Sequence, residues 1–475
     1  MRDRYESPLC ERYASARMQY IFSPDFKFTS WRKMWLYLAE AEKELGLDIT
    51  DEQLDEIRAH LNDVDYDAAA AYEKRLRHDV MAHLRAFADQ CPKAGPILHL
   101  GATSCYVGDN TDVWQLSEAL KSLRGQLLGV ISALSDFALK NADVPTLAYT
   151  HFQAAQPTTV GTRATLWLQD FLMDFDRLTF ELSRLKPLGC KGTTGTGASF
   201  LMLFNGDESK VRALEGLIAR KMGFESCVAV SGQTYTRKVD AFVLNVLSGI
   251  AQSASKMATD LRLLSHLKEF DEPFESEQVG SSAMAYKRNP MRSERVCSLA
   301  RYVMTDALNP AWTAAIQWME RTLDDSANRR IALPEAFLAA DAILTLCRNL
   351  ISGGRVYPGV MRRHLNEEMP FMATENILMR AVELGGDRQK LHEKIREYSV
   401  ETAARVKLEG GENDLLDKLK ADPAFHLDDV ALAEILDVKQ FIGCAPSQTR
   451  AFVEEAVRPV LEACGTGDGT DEVRV

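Results

Sequence analysis

The segment from Gly280 to Pro290 contains the side chains best suited to chemistry in this sequence. It reads Gly-Ser-Ser-Ala-Met-Ala-Tyr-Lys-Arg-Asn-Pro and combines a glycine turn with hydroxyls, cations and an amide. A segment this irregular does not belong to a core and is typical of a mobile catalytic loop, although a solvated surface loop would have the same composition. The chemistry that would need it is removal of a proton from a carbon beside a carboxylate. Ser281 is then the candidate base, and Lys287 the candidate cation for the resulting enediolate.

A second candidate is His151, which lies among amide and hydroxyl side chains between Thr150 and Gln156. A lone histidine is usually structural or merely exposed. This one directly precedes a long helical segment, so we expect it at a helix entry. An imidazole there is available as an acid or base near neutral pH.

A third motif, Lys-Gly-Thr-Thr-Gly-Thr-Gly-Ala-Ser at 191–199, superficially suggests a phosphate-binding loop. It lacks the Gly-Lys-Ser/Thr ending of such a loop, and no strand pattern precedes it. A flexible turn between helices is the simpler interpretation.

The composition excludes several classes of function. The chain has 475 residues, 46% of them hydrophobic, and a formal net charge of −12 with a pI of about 5.4. Nucleic acids and membrane surfaces both require a basic face, so neither is an expected partner. The first residues contain no apolar signal segment, and we expect a cytoplasmic protein. The nine cysteines form no CxxC pair and the histidines show no ligand spacing, so we expect reduced thiols and no metal or other cofactor.

Three segments repeat apolar residues at spacings of three and four, which predicts long amphipathic helices. The first covers 113–137, with Thr111 as a possible cap and Pro145 beyond its end. The second lies between residues 157 and 187, and the third runs from about 236 to 273. No alternating strand pattern of comparable strength is present.

These elements predict an all-α protein of three helical domains, at 1–103, 104–356 and 357–475. The first domain includes a helix from Trp31 to Leu45 that Gly46 can stop. The second is a bundle of the long helices, and the third contains shorter helices separated by glycine-rich breaks. Helices this long cannot be buried by one small domain, so we expect them to pack against helices of other subunits.

The segment 280–290 resembles the signature loop of the fumarase/aspartase superfamily, Gly-Ser-Ser-x-Met-Pro-x-Lys-x-Asn-Pro. It departs from that pattern at Ala285, where the loss of proline leaves the free loop more flexible. The histidine segment resembles the superfamily's Thr-x-x-Gln-x-Ala-Gln, with Ala154 where proline is common. The resemblance implies that His151 is the general acid, that Glu294 is the carboxylate that pairs with it, and that segment 191–199 lies near the dicarboxylate.

Further segments resemble the adenylosuccinate lyase family, closest to its animal form, over almost the entire chain. They are 7–13, 77–79, 103–104, 233–237 and 321–330. The positions that this resemblance implies as substrate contacts are Arg12, Tyr13, Arg77, His78, Asp79, Thr103, Ser104, Gln233, Asn289, Arg295, Arg321, Ser326 and Arg330.

The expected activity is that of a lyase that eliminates fumarate from adenylosuccinate, giving AMP, and from succinylaminoimidazole carboxamide ribotide (SAICAR), giving aminoimidazole carboxamide ribotide (AICAR). The resemblance also implies a homotetramer with sites shared between subunits. Two alternatives stay open. An argininosuccinate lyase or fumarase would share the loop but not segments 77–79 and 321–330, and a non-enzymatic helical scaffold would keep the helices without turnover.

Overall fold

Five helices form the amino-terminal part of the chain in the computed structural model, which describes residues 3–467. They are α1 (Ala16–Ile21), α2 (Pro24–Glu44), α3 (Asp51–Ala59), α4 (Tyr66–Leu76) and α5 (Asp79–Gln90). A π-helical turn, Leu9–Tyr13, precedes them. Helix α2 starts after Ser23, whose hydroxyl accepts a hydrogen bond from the Phe26 amide, and it stops before Gly46 as predicted. The φ of Gly46 is +98°, which is why a glycine stands there.

Eight helices form the central part, and the long ones build a bundle. They are α6 (Ser104–Lys140), α7 (Val160–Arg184), α8 (Ala198–Leu203), α9 (Glu208–Lys221), α10 (Lys238–His266), α11 (Met291–Asp306), α12 (Leu308–Ile316) and α13 (Asp325–Gly353). The three predicted long helices are present as α6, α7 and α10. The predicted seam of α6 is buried throughout, from Val113 to Phe137. The all-α class is therefore confirmed.

Helix α6 begins earlier than its apolar seam, so the predicted cap at Thr111 is wrong. Thr103 occupies the cap position, and Thr111 is buried within the helix. The first two turns carry Ser104, Gly108 and Asp109 in place of apolar residues because they face a cleft and not the core. Periodicity cannot detect a helical turn that faces a cleft.

A two-stranded hairpin separates α6 from α7, and its tip is where His151 lies. Its antiparallel strands are β1 (Pro145–Thr150) and β2 (Gln153–Thr159), with Thr150 opposite Gln153. His151 and Phe152 form the turn with φ of 53° and 58°. The expectation that His151 stands at a helix entry is therefore wrong, because α7 starts only at Val160. The hairpin escaped the sequence pattern because Gln-Ala-Ala-Gln-Pro-Thr-Thr does not alternate apolar and polar residues.

Seven α-helices form the carboxyl-terminal part as far as residue 467. They are α14 (Pro358–Met372), α15 (Thr374–Glu383), α16 (Arg388–Ala404), α17 (Leu415–Ala421), α18 (Asp429–Ile435), α19 (Ala445–Phe452) and α20 (Arg458–Cys464). A two-residue ladder pairs β3 (Phe270–Asp271) with β4 (Arg355–Val356) just before them.

Buried apolar side chains gather in three large groups. One follows the bundle helices, one lies among α2, α3 and α5, and one lies among α15 to α18. Residues of α8 and α9 join the amino-terminal group, although the predicted first domain ends at 103. The domain boundaries stay a prediction. The last predicted domain includes 468–475, which lie outside the described residues.

None of the helices within residues 3–467 combines the length and the apolar character that crossing a membrane requires. The same residues contain no group of three or more His, Cys, Asp or Glu side chains placed to hold a metal ion.

Candidate active site

A cleft of about 800 Å³ brings together most of the predicted substrate contacts. Its walls come from the α4–α5 junction, the start of α6, the segment before α10 and the start of α13. Nine of the predicted residues line it: Arg77, His78, Asp79, Thr103, Ser104, Gln233, Arg321, Ser326 and Arg330. Segments far apart in the chain therefore meet at one surface.

The α4–α5 junction presents His78 to the cleft in a defined orientation. Arg77 ends α4 in the left-handed region with φ of 55°, and His78 caps α5. The Nδ1 of His78 accepts a hydrogen bond from the Met81 amide at 3.3 Å. The neutral ring then carries its proton on Nε2, which lies 3.2 Å from Ser104 Oγ.

The start of α13 forms the opposite wall. Ser326 and Arg330 lie in its first two turns and line the cleft, where the positive end of the helix dipole favours an anion. Arg330 also reaches across to Asp79, with 3.1 Å between Nη2 and Oδ2. This contact connects the two walls.

A buried network of charges supports the cleft from below. Arg237 pairs with Asp109 at 2.9 Å and with Asp325 at 2.6 Å, and Arg321 pairs with Asp325 at 2.9 Å. Burial alone would raise the pKa of Asp325, but its arginine neighbours hold that pKa below its ordinary value. Asp325 is therefore an anion that fixes both guanidinium groups.

A second set of contacts extends this network. Arg329 bonds to Asp240 and to the Tyr235 hydroxyl at 2.6 Å each, and to Asp112 at 2.9 Å. Tyr235 in turn donates to Asp240 at 2.6 Å. The floor thus links α6, α10 and α13 through paired charges.

His151 lies outside this cleft, on a hairpin with its own anchors. Its side chain is exposed at the tip. At the base, Arg163 donates to the Leu147 carbonyl at 2.8 Å, and the buried Glu269 accepts from Thr146 at 3.4 Å. Glu269 also bonds to His364 of α14 at 2.7 Å. These contacts fix where the tip projects.

The signature loop also lies outside the cleft, with its ends held together. A Cβ at Gly280 would come within 2.2 Å of the Lys287 carbonyl, so only glycine fits there, and Asn289 donates to the Gly280 carbonyl at 2.8 Å. Ser281 Oγ accepts hydrogen bonds from the amides of Ala283 at 3.3 Å and Met284 at 3.1 Å. The candidate base thus faces N–H donors of its own loop.

The remaining predicted residues form a third group. Arg295 places its guanidinium 5.4 Å from the ring centre of Tyr13, and Arg12 is next to Tyr13 in the π-helical turn. Glu294 is exposed in the first turn of α11. Within residues 3–467 no hydrogen bond or ion pair joins Glu294 to His151.

Residues 191–197 of the glycine-rich segment form a turn between α7 and α8, as the sequence indicates, and Ala198 and Ser199 begin α8. Lys191 is buried and forms an ion pair with Glu215 at 2.6 Å, so it is engaged inside the chain.

Two known protein families match this chain. Residues 25–305 match a lyase family, and residues 370–452 match the family described as the adenylosuccinate lyase C-terminus. The chain is 49% identical to an adenylosuccinate lyase of Schizosaccharomyces pombe, over 96% of this chain and 95% of the relative. It is 50% identical to one of Saccharomyces cerevisiae, over 97% of this chain and 96% of the relative.

The chain belongs to the adenylosuccinate lyase family. The fold has solved counterparts as well. A 3-carboxy-cis,cis-muconate lactonizing enzyme from Pseudomonas putida superposes with a TM-score of 0.80 at 23% identity, covering 94% of this chain and 98% of that one. At that identity the likeness shows a shared fold.

Sequence reasoning missed the acidic half of the network in this member of the adenylosuccinate lyase family. Asp109, Asp112 and Asp240 each bind a buried arginine. One signal was available, because Asp109 and Asp112 lie three residues apart on α6, just before its apolar seam. Two acids on that face require cations opposite them.

Proposed function

We propose that this chain eliminates fumarate from adenylosuccinate, giving AMP, and from SAICAR, giving AICAR. Family membership supports the lyase chemistry. The single observation that carries the substrate assignment is the gathering of nine matched residues in one cleft. A nucleotide monophosphate with a succinyl group brings about four negative charges, so it needs several cations and hydroxyl donors in spite of the acidic chain.

The proposed bond changes start with the alkoxide of Ser281, which takes a proton from the succinyl Cβ and becomes the neutral hydroxyl. That electron pair forms the double bond of fumarate, the C–N bond breaks, and His151 protonates the departing nitrogen. Lys287 and Asn289 bind the carboxylate that becomes an enediolate, which is where binding lowers the barrier most.

The base role of Ser281 needs support because a serine is a weak base in water. The amides of Ala283 and Met284 already point at its Oγ, and they favour an alkoxide there. Lys287 of the same loop would add a positive charge when the loop closes over the substrate. The proposed steps use acid, base and hydrogen-bonding side chains throughout.

We further propose a cytoplasmic homotetramer in which each site takes residues from three subunits. The separation of the cleft, the hairpin tip and the signature loop within one chain supports this, since each holds part of the required chemistry. Exposed apolar side chains support self-association: Leu166, Met173 and Phe180 repeat every seven residues on α7, and Trp312 on α12 is 70% exposed. In the assembled site Glu294 of one subunit would pair with His151 of another.

Turnover of the purified chain tests this proposal. Adenylosuccinate, SAICAR, argininosuccinate and malate are compared by ultraviolet absorbance under the same conditions. We expect cleavage of the first two substrates only. Cleavage of argininosuccinate or dehydration of malate instead would show that the nucleotide contacts are misassigned, and an intact oligomer without turnover would favour a scaffold.

A further inference from the structure

We propose that Lys27 is an additional substrate-binding residue that contacts the phosphate of the nucleotide. This rests on the proposed function, and it adds a cation that no matched motif includes. Lys27 lies in the second turn of α2, and its side chain lines the 800 Å³ cleft together with Arg77, Arg321 and Arg330.

The position of Lys27 is set by the aromatic core of the amino-terminal helices. Its Nζ lies 5.1 Å from the ring centre of Trp31 and 5.4 Å from that of Phe28. Trp31 is buried, and Phe28 stacks on His83 at 3.7 Å. The ammonium group is therefore held against rigid rings, which reduces the entropy that a ligand contact would cost.

Lys27 has charged neighbours but no ion-pair partner among residues 3–467. The carboxylates that raise its pKa belong to Asp112, Asp79 and Glu73. Asp112 pairs with Arg329 at 2.9 Å and Asp79 with Arg330 at 3.1 Å, so two of the three bind other cations. Glu73 acts on Lys27 only at a distance, without forming an ion pair.

An unpaired cation in this setting favours an anionic ligand. Burial is the largest influence on the pKa of Lys27 and lowers it, and the neighbouring Arg330 lowers it further. The acids offset only part of this effect. A bound oxyanion would supply the missing counter-charge. A dianionic phosphate supplies more negative charge than a single carboxylate does.

The choice of phosphate follows from what surrounds Lys27. It borders both the main cleft and a side cavity of about 150 Å³, and Arg330 lines the same two spaces. Arg330 and Ser326 lie in the first two turns of α13, where the positive end of the helix dipole favours an anion. We therefore expect the phosphate of the nucleotide at that helix end, within reach of Lys27 and Arg330. The succinyl carboxylates are the other oxyanions that this cation could bind.

Lys27→Met removes the charge and keeps most of the side-chain volume. Calorimetric affinities for AMP and for fumarate separate the two oxyanions, because AMP has the phosphate alone and fumarate the carboxylates alone. Lys33→Met is the matched control, since Lys33 lies on the same helix, 5.6 Å from the Trp114 ring centre, and does not line the cleft. Lys27→Gln repeats the test in case the methionine variant does not fold.

We expect Lys27→Met to weaken AMP binding by tenfold or more, on the order of one charge-assisted contact, with fumarate binding unchanged. The KM for adenylosuccinate should rise while kcat changes little, and Lys33→Met should match the parent chain. Weaker fumarate binding with unchanged AMP binding would overturn the phosphate assignment in favour of a carboxylate. Unchanged affinities for both ligands, or equal losses for both, would overturn the proposal of a contact specific to the phosphate. The AMP measurement needs no turnover, so it stands even if adenylosuccinate is not cleaved.

Discussion

Because Glu42 on α2 is buried, the free energy of unfolding of this protein should fall as pH rises. The residue is fully buried, and neither carboxyl oxygen has a hydrogen-bond partner among residues 3–467. Burial raises its pKa from an ordinary 4.5 to about 8. The folded chain therefore keeps a proton on Glu42 at neutral pH, whereas the unfolded chain releases it.

The direction follows from the raised pKa. Below pH 4.5 Glu42 is protonated in both the folded and the unfolded chain, so its ionisation does not change the free energy of unfolding. Between pH 4.5 and 8 only the folded state keeps the proton, so the free energy of unfolding decreases by about 1.4 kcal/mol per pH unit. The accumulated loss is roughly 3 kcal/mol at pH 7 and about 4 kcal/mol at pH 8.

The test variant is Glu42→Gln, which fills the same space without ionising. Between pH 5 and pH 8 it should gain about 3 kcal/mol relative to the parent chain. For a chain of this length that corresponds to a rise in melting temperature of about 3 °C, measurable by scanning calorimetry.

Glu40→Gln is the matched control because Glu40 lies two residues away with the opposite environment. It pairs with Arg58 at 2.6 Å and Lys221 at 3.0 Å, and these contacts hold its pKa below 4.5 despite burial. The stabilising effect of Glu40 is present above pH 4.5 and is lost as pH falls through the folded pKa. At pH 8 the Glu40→Gln variant should therefore be less stable than the parent chain. A stability difference between Glu42→Gln and the parent chain that is the same at pH 5 and pH 8 would refute the assignment of a buried neutral carboxyl.

Three further outcomes are expected. Ser281→Ala should lower kcat by orders of magnitude with little change in substrate affinity, and near-normal turnover would exclude it as the base. Asp325→Asn should cost about 3–5 kcal/mol of unfolding free energy in denaturant titrations, because it leaves Arg237 without one buried counter-charge; a loss under 1 kcal/mol would mean that the network is not coupled to stability. Glu269→Gln weakens the pairing with His364 under the hairpin, so kcat should fall while AMP affinity stays constant; an equal loss of AMP affinity would mean that the hairpin and the cleft are not independent.

The helical bundle was predictable because its packing is periodic. The seam from Val113 to Phe137 repeats at three and four residues, and every member is buried. The start of α6 was not predictable in this way. Its first turns face a cleft, so their polar residues look like a loop to any rule based on burial.

The hairpin shows a different limit. Its strands are short, and contacts to Arg163 and Glu269 stabilise them from elsewhere in the chain. Strand preference depends on such neighbours more than on the local sequence. The position of His151 near the start of a helix suggested a helix entry, and only tertiary contacts reveal the turn.

The candidate site also could be predicted from the sequence only in part. Resemblance to known motifs named the residues of the cleft wall, such as Arg77 and Ser326. The arginine partners of the buried acids beneath them, and the place of the unmatched Lys27 in the cleft, became visible only when helices from distant segments were packed together. Partners that belong to other subunits, such as the proposed Glu294 for His151, lie beyond what one chain can show.

Mixing two inactive variants tests the central claim most directly, namely that one catalytic site combines His151 and Ser281 from different copies of the chain. His151→Ala and Ser281→Ala chains are purified separately, dissociated, mixed in equal amounts and reassociated, with each unmixed variant treated identically. Because each residue is intact in half of the chains, we expect about a quarter of the parent rate with adenylosuccinate. Mixed tetramers that form normally and stay as inactive as the unmixed variants would contradict a shared site.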